Sequence, residues 1–443
     1  MIEVCTVSGY NEVGKNMTAV RVDDEVVILD MGIHLDNYIR YTEDDDLNVI
    51  SRGELIKAGA IPDDSLINDW KDKVRAIIPT HAHLDHVGAV AFLCNSYNAP
   101  IICTPYTEAV LSTIAKDENL RIKNQIKVLN SNSKLKISEN ITIEFIHVTH
   151  SIPQTVIVVI NTKYGPVVYS NDFKLDNHPI IGKKPDYKHI EEVGKRNVLL
   201  LISESLRASD ARKTPSEMIA RDMLRDVIYS CDNGNAIIVT TFSSHLARLK
   251  SIIEFGKAIG RRVVFLGRSL EKYTSAGEKI GLIKYSESVE IVKYAKQIKR
   301  KIKEIEEHGR EKFLMVVTGH QGEPKSTLSK MISQEIPFRF GPDDCVIFSC
   351  NVIPSPINIE NRKLLEEKLR KLGVRIYRDV HVSGHAAKED LREFIWSLKP
   401  KHIIPSHGDQ SITLTLVDLA KEMGYELGKN VHLMRNGERL KIV

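Results

Sequence analysis

The sequence predicts an α/β protein built from more than one compact unit. Its 443 residues exceed one typical domain, so two or three units are expected. Residues 1–205 read as short strands separated by turns, followed by strand–helix units. From about Ser209 the pattern changes to regular strand–loop–helix alternation, which argues for a parallel sheet covered by helices.

Composition narrows the class. The chain is 42% hydrophobic and 27% charged, that of an ordinary globular protein with enough apolar residues for a sizeable core. A net charge of +4 permits a nucleic-acid partner without requiring one. The longest apolar runs, residues 198–202 and 236–239, fall far short of the ~20 needed to cross a bilayer, so no membrane partner is expected. The opening MIEVCTVSGYNEVGKN lacks a basic stretch leading into an apolar one, the mark of a secretory signal. Six scattered cysteines (Cys5, Cys94, Cys103, Cys231, Cys345, Cys350) form no CxxC pair and read as reduced, buried thiols of a cytoplasmic protein. Cys345 and Cys350 bracket an apolar strand and read as packing rather than metal-binding residues.

Residues 26–30 form an apolar run ending in Asp30. The polar, acidic stretch 34–67, with Glu43, Asp44, Asp45 and Asp46, shows no periodicity and is expected to be a surface insertion. Residues 74–79 are a strand, and 87–97 a helix. Residues 141–148, 155–160 and 166–169, rich in β-branched side chains, are expected as successive strands. In the second half, strands at 236–241, 262–266, 313–318, 346–349 and 374–380 alternate with helices at 245–259, 326–332 and 358–372, and 267–269 is a turn. Residues 286–308 carry Val289, Val292, Ile298, Ile302 and Ile305 on one face. Lys293, Lys296, Lys299, Arg300, Lys301 and Lys303 fill the other, which reads first as a solvated amphipathic helix and second as an RNA-contacting ridge. In such sheets ligands bind beyond the carboxyl ends of the strands.

The decisive segment is Thr80-His81-Ala82-His83-Leu84-Asp85-His86, between a strand and a helix. Three imidazoles and a carboxylate within six residues suit a borderline-soft divalent ion such as zinc, and are too many for one tetrahedral site. Alternation along the loop can aim His81 and His83 at one ion, and Asp85 and His86 at a second. His150, Asp172 and His407 each follow an apolar strand and are candidates for the remaining ligands, with Asp172 able to bridge. Asp30 is placed to orient a liganding imidazole. His147, His178, His189, His402 and His432 lack such context and read as structural.

HAHLDH at 81–86, with His150, Asp172 and His407, resembles the metal-motif series of the metallo-β-lactamase superfamily. Glu204 in Leu201-Ile202-Ser203-Glu204-Ser205 and His385 in Ser383-Gly384-His385-Ala386 resemble signatures of the β-CASP nucleases, with His407 as a third. Gly319-His320-Gln321-Gly322-Glu323-Pro324 is similar to the GxQGEP loop of ribonuclease J. With TTFSSH at 240–245, the chain most resembles the archaeal branch of that family. The resemblance spans nearly the whole chain. It departs at His320, where a small residue is common, and no bacterial-type C-terminal domain is expected after Val443.

The resemblance implies a metallo-β-lactamase αββα sandwich from 1–205 and 384–443, with a β-CASP α/β domain of 206–383 inserted and the active site in the cleft. It implies two zinc ions per subunit, with Mn²⁺ or Mg²⁺ as alternatives, single-stranded RNA as partner, and a homodimer as assembly. Zinc-bound water is acidic enough to attack a phosphodiester near neutral pH. Asp85, Glu204 and His385 are the expected catalytic residues, His385 serving the leaving 3′ oxygen while Glu204 holds it. Phe242-Ser243-Ser244-His245 opens a helix after a strand, where backbone N–H groups favour anions. Arg268 and Ser269 offer a guanidinium fork and a hydroxyl at a neighbouring strand end. These residues, with His320, Gln321, Gly322, Ser383, Gly384 and Ala386, are the expected substrate contacts, including a 5′-monophosphate pocket favouring 5′-to-3′ removal of nucleotides. The competing readings are an endonuclease of the 3′-end-processing type, a small-molecule hydrolase, and a non-catalytic RNA-binding scaffold. A small-molecule hydrolase has no use for the insert, and a scaffold none for a full ligand set.

Overall fold

The computed structural model describes residues 1–42, 51–232 and 234–443. Glu43, Asp44, Asp45 and Asp46 of the expected acidic insertion lie outside the described residues. Contacts divide the chain into two units: Met1–Asn177 with Lys183–Thr214 and Gly384–Val443, and His178–Gly182 with Pro215–Ser383.

In the first unit the chain lays down β1 (Ile2–Ser8), β2 (Met17–Val22), β3 (Glu25–Leu29), β4 (Val74–Ile78), β5 (Ile101–Cys103) and β6 (Ile126–Val128) as one sheet. It then lays down β7 (Lys134–Lys136), β8 (Thr142–His147), β9 (Val156–Asn161), β10 (Val167–Ser170) and β11 (Leu200–Glu204) as a second. The C-terminal segment returns to both. β18 (His402–Ser406) pairs parallel with β11, and β19 (Glu438–Lys441) antiparallel with β1.

The strand sequences explain the layering. In β9, Val156, Val158 and Ile160 join Val20, Val27, Leu29 and Ile78 of the first sheet in the inner core. The alternate residues Ile157 and Val159 pack outward on Phe394, Ile395, Leu416 and Val417 of the helices Lys388–Leu398 and Gln410–Glu422. A strand buried on both faces cannot alternate with polar residues, which is why these runs are continuously apolar. The first sheet carries on its side the helix Pro105–Asp117 and the 3-10 segment Asp64–Lys73. The product is the expected αββα sandwich.

In the second unit, β12 (Ile237–Thr240), β13 (Arg262–Leu266), β14 (Glu290–Val292), β15 (Phe313–Val317), β16 (Cys345–Phe348) and β17 (Arg375–Tyr377) form one parallel sheet. Their order is β14-β13-β15-β12-β16-β17, with flanking helices as the alternation predicts.

Four expectations need correction. The described part of 34–67 holds the helices Leu35–Thr42 and Arg52–Lys57, and it buries Leu55, Ile61 and Ile67, so it is no mere surface excursion. Just beyond, Trp70 is buried with Arg439 over its ring at 4.5 Å. The expected helix at 87–97 is two short pieces, Leu84–Val87 and Val90–Leu93, with a 3-10 turn Cys94–Ser96. Within 286–308 a short strand, β14, precedes the helix Ala295–His308, and the expected 267–269 turn is the start of the helix Arg268–Lys279. All six cysteines are free and buried. Among the described residues no helix is long and apolar enough to cross a membrane.

Candidate metal centre

The site gathers where strands of both sheets end. His81 and the short helix Leu84–Val87 follow β4, Asp172 follows β10, Glu204 closes β11, and His407 follows β18. Asp30, Asp172 and His407 adopt left-handed backbone conformations, with φ of +57°, +60° and +58°. This conformation is uncommon outside glycine but tolerated by Asp and His, and it turns the chain sharply as each strand ends. Gly32 is required by close approach: a Cβ there would lie 1.6 Å from the carbonyl oxygen of Asp85.

Two donor groups share Asp172: His81, His83, His150 and Asp172, and Asp85, His86, His407 and Asp172. In the first, His83 Nδ1 lies 3.2 Å from His81 Nε2 and 3.1 Å from His150 Nε2. Asp172 Oδ2 lies 3.5 Å from His81 Nε2 and 3.4 Å from His150 Nε2. In the second, His86 Nε2 lies 3.3 Å from Asp172 Oδ2 and 3.5 Å from Asp85 Oδ2. His407 Nε2 is also 3.5 Å from Asp85 Oδ2.

These residues fit divalent ions on two counts. Donors held ~2.0–2.1 Å from a tetrahedral zinc stand roughly 3.3–3.4 Å apart, and the separations cluster there. The tautomers also agree. Thr80 Oγ1 donates to Asp30 (3.0 Å), so it accepts from His81 Nδ1 (3.0 Å). His86 Nδ1 donates to Asp30 (2.8 Å), and His150 Nδ1 to the carbonyl of Gly384 (2.7 Å). Each bond turns an Nε2 towards the centre, where the neutral ring presents its lone pair to a cation. Asp172 Oδ1 is buried and makes no hydrogen bond, although His407 Nδ1 lies 3.0 Å away.

Electrostatics point the same way. Burial holds His81 near pKa 4, helped by repulsion from His86, and keeps His83 well below the usual range. Both are therefore in the neutral form that ligates. For His86 burial is outweighed by Asp172, Asp85 and Asp30, which raise it well above its usual value. The same negative field attracts a divalent cation.

Glu204 and His385 stand beside this centre. Glu204 is fully buried, accepts from the Phe173 amide (2.8 Å) and takes His385 Nδ1 at 2.8 Å. Asp172, Glu204 and His385 form a third convergent group. Burial disfavours charge on His385, but Glu204 and Asp172 prevail and raise it to about 9.

Sequence reasoning missed several supporting residues. Asn16 is buried, its amide nitrogen 3.2 Å from both His86 Nε2 and His407 Nδ1. Tyr169 donates to Asp30 (3.0 Å), and Gly384 holds His150. Asn16 and Tyr169 are revealed only by spatial approach, and Gly384, expected as a substrate contact, shows its carbonyl's hold on His150 only in the folded chain.

The expected substrate residues of the second unit lie at the carboxyl ends of its strands. Ser243, after β12, and Ser269, after β13, share a hydrogen bond of 2.8 Å beside exposed Arg268. The ring of His320, after β15, stands 4.4 Å from Phe242. Gln321 is tied at both ends, its amide nitrogen to Asn351 O (3.0 Å) and its oxygen to Ile353 N (2.8 Å), and so holds the loop's shape. Gly322 has φ +81°, and a Cβ there would meet the Asn361 backbone at 2.5 Å. His245 caps its helix by accepting from Arg248 N, and its other ring nitrogen faces Glu217 at 3.4 Å. Ser244 is buried, Ser383 half-buried, and Ala386 packs fully buried in the outer core of the first unit.

Sandwich, donor groups and parallel insert together define a metallo-hydrolase of the metallo-β-lactamase superfamily. The superfamily model matches residues 10–226, and the model of the ribonuclease J β-CASP domain matches 234–364. A third, the Zn-dependent metallo-hydrolase RNA specificity domain, matches 372–434. Ribonuclease J of Methanocaldococcus jannaschii is 47% identical over 99% of this chain and 98% of its own, and that of Pyrococcus abyssi 45% identical over 100% and 97%. Ribonuclease J of Helicobacter pylori strain 26695 is 28% identical over 100% of this chain and 61% of its own. A crystal structure of a protein of unknown function from Enterococcus faecalis V583 shares the fold, with TM-score 0.62 at 17% identity over 99% of both chains. The chain belongs to the ribonuclease J family, whose members are metal-dependent nucleases.

Proposed function

We propose that the chain is a 5′-to-3′ exoribonuclease acting on single-stranded RNA with a 5′-monophosphate, working with two zinc ions per subunit. The observation that carries this reading is the single carboxylate of Asp172 shared by two four-residue donor groups, with the Glu204–His385 pair beside it. His81, His83 and His150 would hold one ion and Asp85, His86 and His407 the other, with Asp172 common to both. Bound zinc would supply an acidified water and neutralise charge on the phosphoryl oxygens; manganese or magnesium are the alternatives. Asp85, a third exposed, accepts a proton during the attack. His385 protonates the leaving 3′ oxygen, and Glu204 fixes its Nδ1–H so that Nε2 faces the substrate.

Ser243, Ser269, Arg268 and His320 are suited to a 5′-phosphate, offering hydroxyls, a guanidinium and a ring at adjacent strand ends. Gln321 and Gly322 shape their loop. We place this RNA-decay enzyme in the cytoplasm as a homodimer, with functional boundaries at 1–205, 206–383 and 384–443.

The test is digestion of RNA labelled at a 5′-monophosphate, beside its 5′-hydroxyl twin. Early release of labelled mononucleotide from the first alone, abolished by chelation, is expected. Internal fragments from both would replace this reading with an endonuclease.

A further inference from the structure

The helix Ala295–His308 carries its charge backwards. From Lys293 to Lys303 the chain holds six cations and no acid, and the acids Glu304, Glu306 and Glu307 crowd the last turns. A helix favours acids at its start and bases at its end. Other helices of the protein obey: Pro356–Lys371 ends in Lys368, Arg370 and Lys371, and Lys388–Leu398 begins with Glu389 and Asp390.

The cations are also aligned. Lys296, Lys299, Arg300 and Lys303 are exposed and fall at i, i+3, i+4 and i+7, opposite buried Ile298, Ile302 and Ile305. Every neighbouring pair along that stripe therefore has like charge, which destabilises an isolated helix. Lys293 is neutralised by Glu271 (2.9 Å) and Lys301 by Glu290 (2.6 Å), while Lys303 has only a long contact to Glu307 (3.6 Å). Lys296, Lys299 and Arg300 pair with no carboxylate among the described residues. A merely solvated face would mix its signs. Beside the stripe stands Tyr294, 59% exposed, a ring on which a base can stack.

Topology places the stripe. β14 is an edge strand, and every strand of this sheet is parallel. Tyr294 and Lys296 thus lie at the same end of the sheet as Ser243 and Arg268, with β14 about 5 Å from β13.

We propose that this stripe binds the phosphate backbone of single-stranded RNA outside the nucleotides held for hydrolysis. The proposal rests on the ribonuclease reading above. Charge complementarity selects a polyanion, and family membership selects RNA.

The test compares wild type with K296Q/K299Q/R300Q, using an unstructured 5′-monophosphorylated RNA of about 30 nucleotides and a 5′-monophosphorylated pentamer. Removing three phosphate contacts is expected to flatten the slope of log affinity against log salt by about 2, since each contributes roughly 0.7 on a single strand. Affinity for the long RNA should fall on the order of 10- to 100-fold at 0.1 M salt. The pentamer's kcat/KM should not change, and the melting temperature should hold or rise, because repulsion is removed. Unchanged affinity and slope for the long RNA would overturn the proposal. Failure of the wild type to degrade either substrate from its 5′ end would instead overturn the exonuclease reading, and the affinity comparison would still decide the stripe.

Discussion

In the larger unit, Asp172 is buried among imidazoles and pairs with no lysine or arginine among the described residues. In the smaller unit, Glu217 is equally buried, but Arg248 meets both its oxygens, at 2.6 and 2.8 Å. Arg248 spends its other donors on Ser349 and the Val380 carbonyl, and His245 stands beside the pair. Both clusters contain buried acids and histidines. One is neutralised by the chain itself and is architecture; the other turns its donor atoms on a common centre and so fits an external cation.

The largest expected effect breaks the first cluster. Asp172→Asn should abolish metal binding and lower turnover on the order of 10³-fold or more, because it strikes both donor groups at once. Elemental analysis should show the metal lost, and retention of two equivalents would refute the shared role. Chelation of wild type should also lower its melting temperature, since ligand present at 100–1,000 times its dissociation constant adds about 3–4 kcal/mol.

Arg248→Met tests the opposite cluster. Leaving Glu217 buried and unpaired should cost about 3–5 kcal/mol in denaturant unfolding, with metal content unchanged. The double variant Glu217→Leu/Arg248→Met should recover most of that loss. A double variant no better than the single would show that the pair does more than satisfy itself.

His385 joins features of both, paired with Glu204 yet converging on Asp172. His385→Ala should lower turnover about 10²–10⁴-fold while the metal content stays that of wild type. Loss of metal would make it a ligand rather than a proton donor.

The smallest effect lies at Glu144, another acid satisfied by the chain. Burial opposes its charge, but Arg196, His189, Asn161 and Lys134 prevail and lower it from 4.5 to about 2. A depressed carboxylate contributes stability that is complete above about pH 4.5 and lost as pH falls towards 2. Over that window wild type should lose roughly 2–3 kcal/mol through this group, and Glu144→Gln should flatten the acid limb of unfolding by that amount. An unchanged limb would exclude Glu144 as a source of acid sensitivity.

Much of this contrast was legible in the primary structure. His81, His83, Asp85 and His86 could be read because a single loop carries all four. His150, Asp172 and His407 could be read because each follows an apolar strand, and β8, β10 and β18 run in the same direction in their sheet. Asn16 was not legible, nor was the bond from Gly384, expected as a substrate contact, to His150, since each reaches its histidine from a segment distant in sequence. The buried Trp70 region was missed for another reason: short helices and a 3-10 turn are too brief to show a period. β14 was hidden because three residues of strand merge with the apolar rhythm of the helix behind them.

By itself, the sequence determined the strand-end positions of the donors and the residue types able to hold a divalent ion, because these follow from local periodicity and chemistry; the order of the layers was implied only by the family resemblance. Tertiary structure alone decided which imidazole nitrogen faces the centre, which donors share Asp172, and which buried acid is answered by an arginine. Those depend on separations of a few ångströms between segments up to 391 residues apart, as for Asn16 and His407, and no local pattern encodes them.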